Sequence, residues 1–293
     1  MRIYINYPKL YMMIKVLKAG FYSAIQDKGR FGFANIGMPI AGVMDSYAAN
    51  IANHVLHNNL ANAVLEIAFN NAVFQFINAT QICISGADFS AKINGKLVKL
   101  NAIINVKKDD VLSFGTIKFG ARTYVAVAGG FQSETILGSR SMFKEITKTS
   151  QLKNGDVLLF QEQIHLRNPL NASIKVNKNY FEDDKLICFK GPEFDLLSEK
   201  QQHKLCNANF SISNDINRMG FRLNERLENT LSGIVTSAVL PGTVQLTPSG
   251  KLIVLMKDCQ VTGGYPRILQ LKENSLGKLA QKKPTDKICF VLH

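Results

Sequence analysis

The chain has 293 residues, 46% of them apolar, with 35 basic against 22 acidic side chains and a formal charge of +13. That apolar share, with a mean hydropathy of +0.01, excludes a disordered chain and a membrane bundle, and the length suits one large β domain or two lobes. Five scattered cysteines with no Cys-x-x-Cys pair argue against a zinc site or a disulfide framework and fit a reducing cytoplasm.

In chain order, residues 1–12 contain Pro8 and spaced polar groups, so they read as a disordered N-terminal extension rather than a signal peptide. An N-terminal β lobe is expected over residues 13–160. Within it, Asp45 or Ser46 caps a helix whose Ala48, Ile51, Ala52, Val55 and Leu56 follow i, i+3, i+4, i+7, i+8 spacing. Short runs rich in β-branched and aromatic residues predict strands at 73–77, 81–85 and 111–114. Asn94-Gly95 predicts a hairpin, because a type I′ turn needs positive φ at both central positions. The polar, Asn-rich stretch 161–184 reads as a linker. Residues 185–293 form a second β lobe, with strands at 186–189, 242–246, 252–256 and 288–292 and weaker helices at 194–205 and 276–282. Gly and Pro interrupt these runs about every ten residues, the spacing of barrels or sandwiches. The expected fold class is mainly β with a few short helices. Ser85-Gly-Ala-Asp-Phe89 and Lys190-Gly-Pro-Glu-Phe194 occupy similar places in the two halves, as a duplicated lobe would produce.

No run approaches eighteen apolar residues, so no membrane association is expected. The lysines are spread along the chain rather than interleaved with aromatics on one face, which reads as solvated surface and not as a nucleic-acid site. A positive field favours an anionic small substrate.

Four segments hold more Gly, Arg and Asp than packing requires: residues 25–45, 120–141, 213–222 and 240–266. Each has a structural alternative, since Gly-Gly after a strand is commonly a bend and Asp-x-Gly-Arg a turn with an ion pair. Together they place Arg30, Arg122, Arg140, Arg218 and Arg222 in glycine-rich turns of a chain that otherwise favours Lys. Arg is the residue for gripping a carboxylate or phosphate with a planar fork, so an anion-handling cleft is expected. There is no Walker A loop, no G-x-G-x-x-G after a strand and no G-x-S-x-G elbow, so any ATP site is of another kind. His54 and His57 have no third ligand nearby and are expected to face solvent or cap the helix, so no metal site is assigned. Ser139, Ser141 and Ser237 lack a base at motif spacing.

In this order the segments resemble the family of the 5-oxoprolinase C subunit, also called KipA or allophanate hydrolase subunit 2, homologous to one part of the carboxyltransferase domain of biotin-dependent urea carboxylase. The resemblance rests on Gln26-Asp-Lys-Gly-Arg30, Met44-Asp45, Asn214-Asp-Ile-Asn-Arg-Met-Gly-Phe-Arg-Leu223, Thr262-Gly-Gly-Tyr-Pro266 and Leu279-Ala-Gln281 with Pro284 and Asp286. It implies two barrel-like lobes of cyclophilin-like type. It also implies a KipI-like partner sharing the active cleft, a LamB/YcsF-type third component, and ATP-dependent opening of 5-oxoproline to glutamate with Mg²⁺ as a candidate companion of the nucleotide. On that chemistry, residue type assigns Asp27, Asp45, Asp215 and Asp258 to proton or metal duty, and Arg30, Arg122, Arg218, Arg222 and Gln245 to anion and substrate binding. Gly263, Gly264 and Tyr265 would form a substrate wall. Two alternatives stand beside it: a carboxyltransferase served by biotin on another chain, since no Met-Lys-Met-like site occurs here, and a KipA-like regulator binding a KipI-like kinase inhibitor. The chain departs from the family pattern at Val55-Leu-His-Asn58, at Ser237-Ala238 where a Glu is common, at Cys259 in place of Arg, and at Val261 in place of Thr.

Overall fold

The computed structural model describes residues 11–69, 71–162 and 174–293. The first lobe contains β1 (Tyr11–Lys18), β2 (Tyr22–Gln26), β3 (Val64–Ala68), β4 (Val73–Phe76), β5 (Thr80–Asp88), β6 (Lys92–Ile93), β7 (Lys96–Leu97), β8 (Ile104–Val106), β9 (Val111–Ser113), β10 (Phe119–Val127) and β11 (Val157–Gln161). They make a six-stranded sheet, β11-β1-β4-β9-β6-β7, and a five-stranded sheet, β2-β3-β10-β5-β8. Period-two alternation sends Ile14, Val16, Phe74, Phe76, Leu158 and Phe160 inward from the first sheet, where they meet Ile67, Ile82, Ile84 and Val125 from the second. Asn94 (φ 48°) and Gly95 (φ 80°) make the tight turn between β6 and β7 that the sequence predicts.

The second lobe contains β12 (Lys185–Lys190), β13 (Phe210–Ile216), β14 (Gly220–Arg226), β15 (Ser237–Ala238), β16 (Thr243–Leu246), β17 (Lys251–Leu255), β18 (Thr262–Gly263), β19 (Arg267–Leu271) and β20 (Lys287–Leu292). Seven of them close a barrel in the order β12-β19-β16-β17-β14-β13-β20, and closure removes the exposed sheet edge. Phenylalanines supply the bulk that absent tryptophans would: Phe194, Phe210, Phe221 and Phe290 fill the barrel core.

The helices are short. α1 (Ser46–Val55) is capped by the Asp45 carboxylate, which accepts from the Ala48 N–H at 3.1 Å, and its apolar stripe packs on β5 and β10. α2 (Asn179–Glu182) lies within the expected linker, of which residues 163–173 fall outside the described residues. The expected helix at 194–205 divides into a 3₁₀ turn, Phe194–Leu196, and α3 (Glu199–Asn207), because Ser198 and Gln201 form a capping box that starts the helix afresh. α4 (Glu273–Ala280) begins three residues earlier than expected. Tyr11 and Met12, assigned above to the extension, pair with Gln161 and Phe160 as the first residues of β1. No described helix is long and apolar enough to cross a membrane.

The lobes interpenetrate. Met44, from the first lobe, lies in the barrel core, and the Ala41 N–H donates to the Lys257 carbonyl at 2.9 Å. Gln281, just past α4, is buried and uses its whole amide: Oε1 accepts from the Ala121 and Arg122 N–H groups, and Nε2 donates to the Arg122 carbonyl and to Asp45.

Candidate functional site

Between the lobes, at the junction of β2, β3, β10 and the β13–β14 turn, charge is buried in an arrangement that sequence reasoning only half anticipated. Its centre is Glu66, the one charged residue of the wholly buried strand β3. One Glu66 oxygen accepts from the Met44 N–H at 2.8 Å and the other from Arg218 Nη1 at 2.6 Å. Arg218 reaches across from the second lobe and also grips Asp258 with Nε and Nη2, both at 2.8 Å, while Nη2 donates to the Gly42 carbonyl at 2.6 Å. Arg122 lies alongside, its guanidinium 6.0 Å from the Phe69 ring centre and 5.6 Å from that of Phe221, donating to the Ala280 carbonyl. Its Nε stands 4.0 Å from Glu66.

Burial would lower the Arg218 pKa, but Asp258, Tyr22 and Glu66 outweigh it and hold the guanidinium well above the arginine norm. Arg122 has no such close carboxylate, and burial lowers its pKa. The Tyr22 phenol is pushed up to about 12, chiefly by burial, with Arg218 opposing and the charges of Glu66 and Asp258 adding. Breaking such a pair from one side leaves an uncompensated buried charge, at a cost of about 3–5 kcal/mol.

Tyr22, Arg122, Arg218 and Asp258, but not Glu66, line a cleft of about 620 Å³ with Phe21, Phe69, Met142 and Phe143 among its apolar walls. The Tyr22 hydroxyl makes no hydrogen bond among the described residues. Phe69 (φ 58°) and Glu145 (φ 69°), both lining the cleft, adopt left-handed backbone that bulky L residues rarely take. Strain of this kind clusters where a binding site needs a fixed geometry.

The structure therefore brings Arg122, Arg218 and Asp258 together. It does not bring the remaining candidates into this cleft. Asp27 staples a loop, accepting from Ser139 and Ser141 Oγ (2.6 and 2.7 Å) and from the Arg140 and Gly29 N–H groups (2.6 and 2.8 Å). It borders a second cleft of about 380 Å³ on the α1 side. Arg30 is buried and donates to the Ser141 carbonyl; burial lowers its pKa, with Asp27 and Asp258 opposing. Asp45 joins α1 to the second lobe through Gln281 (2.8 Å) and to α2 through the Tyr180 hydroxyl (2.9 Å). Asp215 and Arg222 form an exposed ion pair with each other. Gln245 is buried in the barrel, where its amide occupies the space a side chain at Gly263 would need. Gly263, Gly264 and Tyr265 line neither cleft. His54 and His57 face solvent, and no group of three potential metal ligands occurs among the described residues.

Sequence reasoning missed Glu66 and Tyr22. For Glu66 a signal existed: a lone carboxylate within Val64-Leu-Glu-Ile-Ala68 must find a partner if that strand is buried. Tyr22 carried none.

A carboxyltransferase-domain model, subdomains A and B, matches residues 36–292. The chain is 30% identical over 285 residues to a protein of Escherichia coli named as the C subunit of 5-oxoprolinase, covering 95% of this chain and 91% of that one. It is 27% identical to urea amidolyase of Lachancea kluyveri, over 94% of this chain but 17% of the larger protein. Among solved structures, TTHA0988 superposes with a TM-score of 0.88 at 26% identity, over 98% of this chain and 57% of that one. The K. lactis urea amidolyase superposes at 0.85 and 28%, over 98% and 19%.

Proposed function

The chain belongs to the carboxyltransferase-domain family, subdomains A and B, and within it we propose that the protein serves as the C subunit of an ATP-dependent 5-oxoprolinase, opening 5-oxo-L-proline to L-glutamate together with a KipI-like and a LamB/YcsF-like companion. One observation carries the reading. In a chain that aligns with a 5-oxoprolinase component over nearly its whole length, the cleft between the lobes sets a rigidly held carboxylate, Asp258, and an unengaged phenol, Tyr22, against apolar walls suited to a small ring.

A lactam resists hydrolysis until its oxygen becomes a better leaving group. Phosphorylation of that oxygen by ATP makes the ring carbon electrophilic; a first water adds, the ring C–N bond breaks as its nitrogen takes a proton, and the acyl phosphate so formed is hydrolysed by a second water to the glutamate carboxylate and phosphate. On this chain Asp258, locked in orientation by Arg218, accepts a proton from the lactam N–H or from the attacking water. Tyr22 donates to the lactam oxygen, and the aromatic walls exclude bulk water. The guanidiniums are a poor fit for phosphate, because the Arg218 fork is engaged by Asp258, Glu66 and Gly42, and Arg122 is buried with Nη1 on the Ala280 carbonyl and its Nε shut away from solvent. No nucleotide or Mg²⁺ step is assigned to them, and the nucleotide is proposed to sit on a companion chain.

The test is phosphate release from ATP with the chain co-expressed with its KipI-like and LamB/YcsF-like companions. Release that requires 5-oxoproline and all three chains supports the reading; a stable complex with no release overturns it. Similarity to urea amidolyases and urea carboxylase favours a second reading, transfer of carboxylate from biotin carried on another chain. Decarboxylation of a carboxybiotin carrier by the same preparation would distinguish it. Binding to a KipI-like protein with neither activity would point to a regulator.

A further inference from the structure

Strands β1 and β11 alternate inward and outward residues, yet their outward set is mostly apolar, with Lys15 and Gln161 its polar members. Tyr11, Met13 and Leu17 on β1 and Val157 and Leu159 on β11 are 36–51% exposed, while Ile14, Val16, Leu158 and Phe160 fill the core. The antiparallel register sets Met13 opposite Leu159 and Lys15 opposite Val157. The exposed side chains therefore form one patch around a single lysine. A sheet face meant for water carries polar residues at these positions, and a contiguous apolar face rimmed by charge marks an interaction surface.

The rim says what covers it. Lys18 and Lys153 border the patch and Lys15 stands within it, Lys153 lying in the turn whose Asp156 carbonyl and Gly155 N–H bond Val16. None of the three makes an ion pair among the described residues. With +13 over the chain, a second copy would set lysine against lysine, whereas an acidic rim around an apolar ridge complements both features. The solved relatives carry the matching domain as 57% or 19% of a longer polypeptide, so in them it has further protein to pack against. Strand addition is not the mode of contact. The Gln132 N–H already donates to the Leu159 carbonyl, and Phe131 bridges Phe160 along the outer edge of β11. What remains open is the face.

We propose that the outer face of β1 and β11 docks a companion protein that presents an apolar ridge within an acidic rim. This rests on the reading of the chain as one component of a multi-chain complex. The test is calorimetric titration of the full chain with the purified KipI-like companion, comparing wild type with Leu159→Glu, Met13→Gln and Lys15→Glu, and with Phe31→Ser as an exposed control outside the patch. The expected result is at least a tenfold weaker complex for Leu159→Glu and about threefold for Met13→Gln. Lys15→Glu should weaken binding at low salt and matter less at high salt, while Phe31→Ser changes nothing and melting temperatures hold. Patch variants that bind as wild type does would overturn the proposal. So would the absence of any complex, or self-association of the chain that depends on Leu159. A complex that depends on Leu159 but releases no phosphate with 5-oxoproline overturns the 5-oxoprolinase reading and leaves the docking surface standing.

Discussion

Glu66 and Asp45 are both fully buried carboxylates, and their surroundings give them opposite characters. Glu66 faces the guanidinium of Arg218, so its charge is matched and both its oxygens are used. Glu66→Gln leaves Arg218 and the nearby Arg122 short of a negative charge. We expect a loss of about 3 kcal/mol in urea unfolding, together with reduced turnover in the reconstituted complex because Arg218, which positions Asp258, loses its anchor on Glu66. Asp45 has hydrogen-bond donors but no cation. Burial raises its pKa from 3.8 to about 6, with Gln281, the Ala48 N–H and Tyr180 opposing the rise. The folded chain thus binds a proton between about pH 4 and 6 that the unfolded chain has released. The associated stability is fully present below about pH 4 and is lost as pH rises through 6, roughly 3 kcal/mol in all. Asp45→Asn should remove this slope. Wild type should lose stability relative to the variant in unfolding curves between pH 4.5 and 7, and parallel curves would refute the account.

At the level of elements, local chemistry settles most boundaries. Ser198 accepts from the Gln201 N–H while the Gln201 side chain accepts from the Ser198 N–H, satisfying two orphan groups at the start of α3. Ser198→Ala should cost about 1 kcal/mol in thermal unfolding, with the cleft untouched. The same logic explains what could be read from the sequence. The strands at 73–76, 185–190 and 251–255 and the Asn94-Gly95 turn were legible because β-branched pattern and positive-φ residues act locally. The two-residue strands β15 and β18 were not, since Ser237-Ala238 and Thr262-Gly263 carry no pattern and are paired only because the loops around them are folded together. The candidate site follows suit. Arg122, Arg218 and Asp258 were legible as types in glycine-rich turns, whereas their convergence on Glu66 depends on contacts spanning up to 152 residues. Asp27 and Asp45 carried the same residue type in equally suggestive motifs, and only tertiary context shows them bonded to loop and helix termini.

For the whole molecule, the cleft exists only while the lobes hold their mutual position, because Arg122 comes from the first and Arg218 and Asp258 from the second. Gln281 enforces that position. Its amide satisfies the Ala121 N–H, both backbone groups of Arg122 and one oxygen of Asp45, all buried. Gly277 clears the way on the preceding turn of α4, for a Cβ there would stand 2.5 Å from the Tyr180 hydroxyl and 3.1 Å from Asp45. Gln281→Leu fills nearly the same volume but leaves these polar groups unpaired, at about 1–3 kcal/mol for each one not rescued by water. We expect roughly 3–5 kcal/mol lost in urea unfolding. Hydrogen exchange should accelerate first at residues 121–122 and around α4, while the barrel strands stay protected. Because Gln281 does not line the cleft, any loss of substrate binding in this variant must come through displacement of Arg122 relative to Arg218. Binding that survives intact alongside the loss of stability would mean that the cleft tolerates movement of the lobes, and that the Glu66–Arg218 pair alone is enough to hold it.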